Sequence, residues 1–318
     1  MVLVYAETWK GAFKKTTFEA VSYAAQCAKM TGSPVTAVVI GPCTSPVEDL
    51  GAYGASSVVH FQGAGAESFD PYAYAACLSE VAAEQKATLV ILNGTSNGKS
   101  LAPVFSIQSQ ASLITNVIGF VSALSPVTVR RGAFSSKGLE EAQSTAACTV
   151  LCLVPQALGV QTSGGQATVS VRSFSGQGKT EFVDQSIASG AIPLPEADRV
   201  VSAGRGMKAP ENWSLIEALA KALNASLACS KPVSDIGWRP HTEHVGQTGI
   251  QVNPQLYVAV GISGAIQHLA GVSGSKTIVV INSDPEAPFF KAADYGVVGD
   301  AFEVVPRLTE ALQAFSNH

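Results

Sequence analysis

Short apolar runs of four to eight residues recur along this chain, divided by stretches in which apolar and small residues return every three or four positions. VLVYAE (2–7), PVTAVVIG (34–41), VVHF (58–61) and TLVILNG (88–94) are of the first kind. TTFEAVSYAAQCAKM (16–30), PYAYAACLSEVAAEQK (71–86) and SLAPVFSIQSQ (100–110) are of the second, with a short helix near 45–52 and a start signal at Asn97-Gly98. Strands alternating with Ala-rich helices predict βαβ units and a parallel sheet. From 113 to 187 the pattern turns β-rich (VTVRRGAF, AACTVLCLV, ATVSVRSF), which adds strands to the same domain. ASGAIPLPEA (188–197) holds two prolines among small residues and reads as a linker.

The alternation then resumes. RVVSAG (199–204), SLACS, LYVAVG and KTIVVIN are strand-like, PENWSLIEALAKALNA is a helix with Pro210 near its first position, and PRLTEALQAFSNH is a closing helix. The expected fold is α/β: an N-terminal parallel-sheet βαβ domain with added strands over 1–188, a linker over 189–197, and a C-terminal Rossmann-like domain over 198–318.

Composition narrows the function. The chain has 318 residues, 47% hydrophobic and 14% charged, enough for two well-buried cores. A net charge of −4 supplies no general basic surface for nucleic acid. Apolar runs such as 256–262 are too short to cross a bilayer, and MVLVYAETWKG has no basic or Arg/Ser-rich leader pattern. The six cysteines are scattered and are expected to be buried thiols of a reducing compartment, which points to the cytoplasm.

Candidate chemistry gathers between 200 and 301. ISGAIQH follows a buried strand, and Ser263, Gly264 and Ala265 would offer free amides to a phosphate at a helix start. Neither this turn nor Gly204-Arg205-Gly206 is the G-x-G-x-x-G fingerprint, so standard dinucleotide binding is not supported. VGQTG (245–249) places the versatile donors Gln247 and Thr248 between glycines. Lys231 offers a cation, and His268 a donor for a ligand carbonyl. His241 and His244 lie three apart with no cysteine partner nearby, a weak metal pattern. No Ser/His/Asp order, P-loop or paired carboxylate stands out, which fits a protein whose cofactor carries the chemistry.

The segments SAGRGMKAPENW (202–213), ACSKPVSDIGW (228–238), HVGQTGIQVNPQLYVAVGISGAIQHLAGVSGSKTIVVINSDPEAPFF (244–290) and KAADYGVVGDAFEVVPRLTEAL (291–312) resemble the alpha subunit of electron transfer flavoprotein. The resemblance implies a C-terminal FAD-binding domain. It also implies a heterodimer with a homologous beta subunit, which in the family can carry AMP or a second flavin. By the same resemblance, Arg205 and Ser230 lie by the FAD phosphates, and Val245, Gly246, Gln247 and Thr248 lie under the flavin. Ser263, Gly264, Ala265, Ile266, Gln267 and His268 form the phosphate turn and the histidine at the flavin carbonyl, and Asn282, Asp300 and Ala301 meet the adenosine. Lys231 stands where the family usually has an arginine, which implies a shifted flavin potential. Acyl-CoA or other dehydrogenases would donate electrons and an acceptor oxidoreductase would receive them, with the linker as hinge. The alternatives are a self-contained flavin-dependent oxidoreductase and a non-redox nucleotide-binding module.

Overall fold

The computed structural model describes residues 1–134, 138–183 and 193–316. Among these, residues 1–133 with 138–183 form one compact unit, and 193–316 form the other.

In the first unit the apolar runs become β1 (Val2–Tyr5), β2 (Val35–Ile40), β3 (Ser57–Gln62) and β4 (Leu89–Asn93). The helical stretches become α1 (Lys15–Thr31), α2 (Pro71–Glu84) and α3 (Ser96–Gln108). The β-rich region supplies β5 (Ser112–Val117), β6 (Val127–Ala133), β7 (Gly138–Ser144), β8 (Thr149–Leu153) and β9 (Thr168–Ser173). The sheet order is β7-β6-β5-β8-β4-β1-β2-β3-β9. β6 runs antiparallel to β7 and β5, and every other neighbour pair along this order is parallel. α1 covers one face over Val2, Val4 and Ile91, while α2 and α3 cover the other over Leu3, Val90 and Leu92. Burial on both faces is why β1, β2 and β4 read as unbroken apolar runs.

β1, β2 and β3 step toward one edge, and β4 returns to the far side of β1. Such a reversal opens a crevice outside the carboxyl ends of the two central strands. Here Glu7, just beyond β1, places its carboxylate there. It accepts hydrogen bonds from Thr95 Oγ1 at 2.5 Å and Asn97 Nδ2 at 2.9 Å. Thr95 in turn caps α3 by accepting from the Gly98 amide at 3.0 Å. The helix thus begins at Ser96, before the Asn97-Gly98 signal, because the threonine hydroxyl satisfies its first free amides. A buried carboxylate, Glu19 on α1, accepts from the amides of Gln156, Leu158 and Gly159 at 2.8, 2.9 and 3.1 Å. Burial raises its pKa, with those amides pulling the other way.

The second unit contains β10 (Arg199–Ala203), α4 (Trp213–Ala222), β11 (Ser226–Cys229), α5 (Lys231–Asp235) and β12 (Leu256–Val260). It continues with α6 (Ile266–Leu269), β13 (Ile278–Asn282), β14 (Tyr295–Val298) and α7 (Ala301–Ser316). Its sheet is parallel throughout, in the order β11-β10-β12-β13-β14. α4 and α7 close one face over Val201, Val258 and Ile281, and the other face packs Tyr257, Val245 and Phe289.

Four expectations shift. Pro210–Asn212 is a 3₁₀ turn, so α4 starts only at Trp213. α7 starts at Ala301, well before Pro306, because Asp300 Oδ1 accepts from the Phe302 amide at 2.9 Å. Cys43 and Cys148 are half-buried; all six cysteines are free thiols. Of the expected linker, 189–192 lie outside the described residues, while Leu194 and Ala197 pack into the second unit's core.

Candidate functional site

In the second unit the winding again reverses at its centre: β11 lies on one side of β10 and β12 on the other. At the carboxyl ends of these strands is a cavity of about 580 Å³, within the ~300–1,000 Å³ typical of small-molecule and cofactor sites. Glycines bring its walls together. A Cβ on Gly204 would lie 2.3 Å from the Gly261 oxygen, and one on Gly206 would lie 2.6 Å from Gly261 Cα. The turns after β10 and β12 therefore meet backbone to backbone. Gly264 has φ +84°, and a Cβ there would lie 2.4 Å from the Phe289 nitrogen, so only glycine fits.

The cavity gathers Arg205, Ser230, Lys231, Val245, Gly246, Gln247, Thr248, Ser263, Ala265, Gln267, His268 and Asn282 from the residues singled out in the sequence. Gly264, Ile266, Asp300 and Ala301 are not in its lining. Ile266 faces solvent, and Asp300 caps α7 and pairs with Lys208 at 3.7 Å. Gly204, Gly206, Pro232, Asp235, His244, Gly261, Ile262 and Asp284 also line it. The flanking glycines were legible as parts of the same turns. His244 was read only as half of a weak metal pair. Its companion His241 is bound through Nδ1 to Ser234 Oγ at 2.7 Å, and no cluster fit for a metal occurs among the described residues.

The turn after β12 leads into α6, which is a single turn of four residues. Its dipole is correspondingly short. What the turn offers is the free amides of Ser263, Gly264 and Ala265, which have no main-chain acceptor among the described residues. Asn282 is committed to the scaffold: Nδ2 donates to the Ile262 carbonyl and Oδ1 accepts from the Asp284 amide, both at 3.0 Å.

His268 is the most constrained side chain of the site. It is 6% exposed, and its Nε2 lies 2.9 Å from the Tyr257 hydroxyl. Burial, with the His244 charge second, lowers its pKa to about 4, so the ring is neutral at pH 7. Burial also raises the Tyr257 pKa, so the phenol keeps its proton. With the phenol as donor to Nε2, the imidazole's single proton lies on Nδ1. Nδ1 is buried with no partner in good hydrogen-bond geometry, although the nearby Val245 main chain pulls the pKa the other way. A buried polar atom left open costs about 1–3 kcal/mol, and a ligand acceptor would recover it. Arg205 and Lys231 add positive charge to the cavity wall, while Asp235 and Asp284 add negative charge. The arrangement suits an extended anion bearing a polar ring.

Residues 2–176 match the electron transfer flavoprotein domain, and residues 193–273 match the electron transfer flavoprotein FAD-binding domain. The chain is 37% identical to the electron transfer flavoprotein subunit alpha of Pseudomonas aeruginosa, over 98% of this chain and 99% of that one. It is 33% identical to the Bacillus subtilis subunit alpha, over 100% and 98%. It is 36% identical to that of Mycobacterium tuberculosis, over 98% of each. Two domain matches and full-length similarity, on a fold whose cavity lies largely within the FAD-binding segment, show that this chain belongs to the electron transfer flavoprotein alpha-subunit family.

Proposed function

We propose that FAD occupies the cavity at the ends of β10 and β12, and that the chain works as an electron carrier there. The observation that carries this reading is neutral His268, with its Nδ1 left open, in the wall of a cavity whose other groups suit a phosphorylated ligand. When bound, FAD supplies a ring that accepts and releases electrons. Arg205 and the amides of Ser263, Gly264 and Ala265 hold the phosphates. Val245, Gly246, Gln247 and Thr248 form the floor under the ring, with the Thr248 hydroxyl as a hydrogen-bond partner. His268 Nδ1–H and the Lys231 ammonium favour negative charge on the ring through fixed electrostatics that need no rearrangement. Ser230 positions α5, which begins with Lys231. Gln267 donates or accepts at the rim, while Asn282 holds the two turns in register. Ile266, Asp300 and Ala301 lie outside the cavity lining.

The chain pairs with an electron transfer flavoprotein beta subunit, takes electrons from acyl-CoA or other dehydrogenases, and passes them to an acceptor oxidoreductase. Its free thiols suit a reducing compartment, which supports a cytoplasmic reading. Among the described residues no helix is long and apolar enough to cross a membrane. The test is co-purification of the full chain with its beta subunit, followed by flavin absorbance and FAD titration. The expected result is bound FAD whose affinity falls at least about tenfold in Arg205→Ala and His268→Ala. A colourless complex, or affinity unchanged by both substitutions, refutes the reading.

A further inference from the structure

His244 entered the sequence as half of a metal pattern and leaves the structure with no partner for that role. Its ring is instead built into the cofactor cavity. The residue is 8% exposed and lines the cavity. Its main chain is pinned at both ends: the His244 amide donates to the His241 carbonyl at 3.1 Å, and the Ile250 amide donates to the His244 carbonyl at 2.8 Å. The VGQTG loop folds around the imidazole. A Cβ on Gly249 would lie 2.8 Å from Nδ1, and one on Gly246 would lie 3.3 Å from Nε2. Both glycines leave room for that ring. Among the described residues neither ring nitrogen has a hydrogen-bond partner. The ring is held in place by its surroundings, and its open nitrogens are accessible from the cavity.

We propose that His244 is a second histidine of the cofactor site, the one that takes up a proton when the bound FAD gains an electron. The proposal rests on FAD occupying this cavity. In the step, one electron passes from a reduced donor flavoenzyme to the bound ring, and one proton passes from solvent to an open His244 nitrogen. No bond to the cofactor forms or breaks, and the added charges cancel.

The charged surroundings make this proton available. Lys231 and Asp235 face His244 from α5, His241 and Glu243 share its turn, and His268 approaches from α6. Burial lowers the pKa of His244, Lys231 and His241 lower it further, and Asp235 opposes them. The ring is therefore neutral when nothing negative is near, and a new negative charge in the cavity reverses that balance. His268 differs, because its Nε2 is committed to Tyr257 and its pKa lies far below neutrality. Of the two imidazoles, His244 is the one within reach of protonation.

The test uses the full chain with its beta subunit, labelled with ¹⁵N-histidine, and His244→Gln to assign the resonance among the five histidines. The His244 titration is followed with FAD oxidised and again after reduction by dithionite. A rise of at least one pKa unit on reduction, a tenfold tighter proton, supports the proposal. So does a midpoint potential that loses pH dependence between pH 5 and 8 in His244→Gln. A His244 signal that titrates identically in both redox states of a yellow protein overturns the proposal and leaves the FAD reading standing. A preparation that binds no FAD overturns both. Where His244→Gln fails to fold, substitutions of the other four histidines assign the resonance by elimination and the wild-type titration decides, because a wedge between two glycines would not respond to the redox state of the cofactor.

Discussion

Tyr257→Phe removes one oxygen from the fully buried core and tests how the site sets its key proton. Tyr257 is 0% exposed, and its hydroxyl is 2.9 Å from His268 Nε2. The substitution leaves the ring packing against Phe289 in place, at 6.4 Å between centroids, and opens a gap of one atom. His268 Nε2 then becomes a buried acceptor without a donor, a cost of about 1–3 kcal/mol. A phenol that donates to Nε2 also fixes the tautomer, so its loss lets the ring proton leave Nδ1. A weaker bond to the ligand acceptor costs about 1 kcal/mol, or roughly a fivefold to tenfold rise in the Kd for FAD. Two assays check this. Urea unfolding without FAD is expected to show a lowered midpoint at unchanged slope. FAD titration by flavin fluorescence is expected to show the weaker Kd. Unfolding and affinity both equal to wild type would falsify the assignment of the Nδ1 proton. Lost stability with unchanged affinity would reduce Tyr257 to a packing residue.

Gly264→Ala forces a side chain into φ +84° and against the Phe289 backbone at 2.4 Å; a loss of about 2–4 kcal/mol is expected in thermal unfolding. His268 stays neutral in the folded state down to about pH 4 while the unfolded chain protonates near 6.5. Stability is therefore lost as pH falls through that window, by about 3 kcal/mol in all at 1.36 kcal/mol per unit, and His268→Gln should flatten the loss in urea melts at pH 7 and 4.5. Glu19 behaves oppositely: its folded pKa is raised, so the folded state binds the proton more tightly and stability falls as pH rises from the ordinary carboxylate range through the raised value. Glu19→Gln should remove that slope and cost about 1–3 kcal/mol at low pH, because an amide nitrogen then faces the amide donors of the 156–159 loop.

Much of the architecture was legible because burial on both faces writes itself as unbroken apolar runs, as in β1, β4, β12 and β13. β7 was not, since Gly138–Ser144 is largely exposed and shows no alternation; only its pairing with β6 makes it a strand. Helix starts were misplaced where a single side chain decides them, as Thr95 and Asp300 do by capping. Within the site, the turns around Arg205, Lys231, Thr248 and His268 could be read from small residues flanking polar ones. The Tyr257–His268 hydrogen bond could not, because Tyr257 sits in an apolar run and resembles core. His244 was obscured by its spacing from His241, which suggested a shared ligand where the fold turns the two rings to different neighbours.

The carboxylate of Glu7 has a consequence for how many tenants the chain can take. It stands where the winding of the first unit would otherwise receive an outside anion, and its bonds to Thr95 and Asn97 fill that berth from within. The same winding thus serves different ends: in the first unit its crevice receives the chain's own acid, and in the second it opens into the cavity at the ends of β10 and β12.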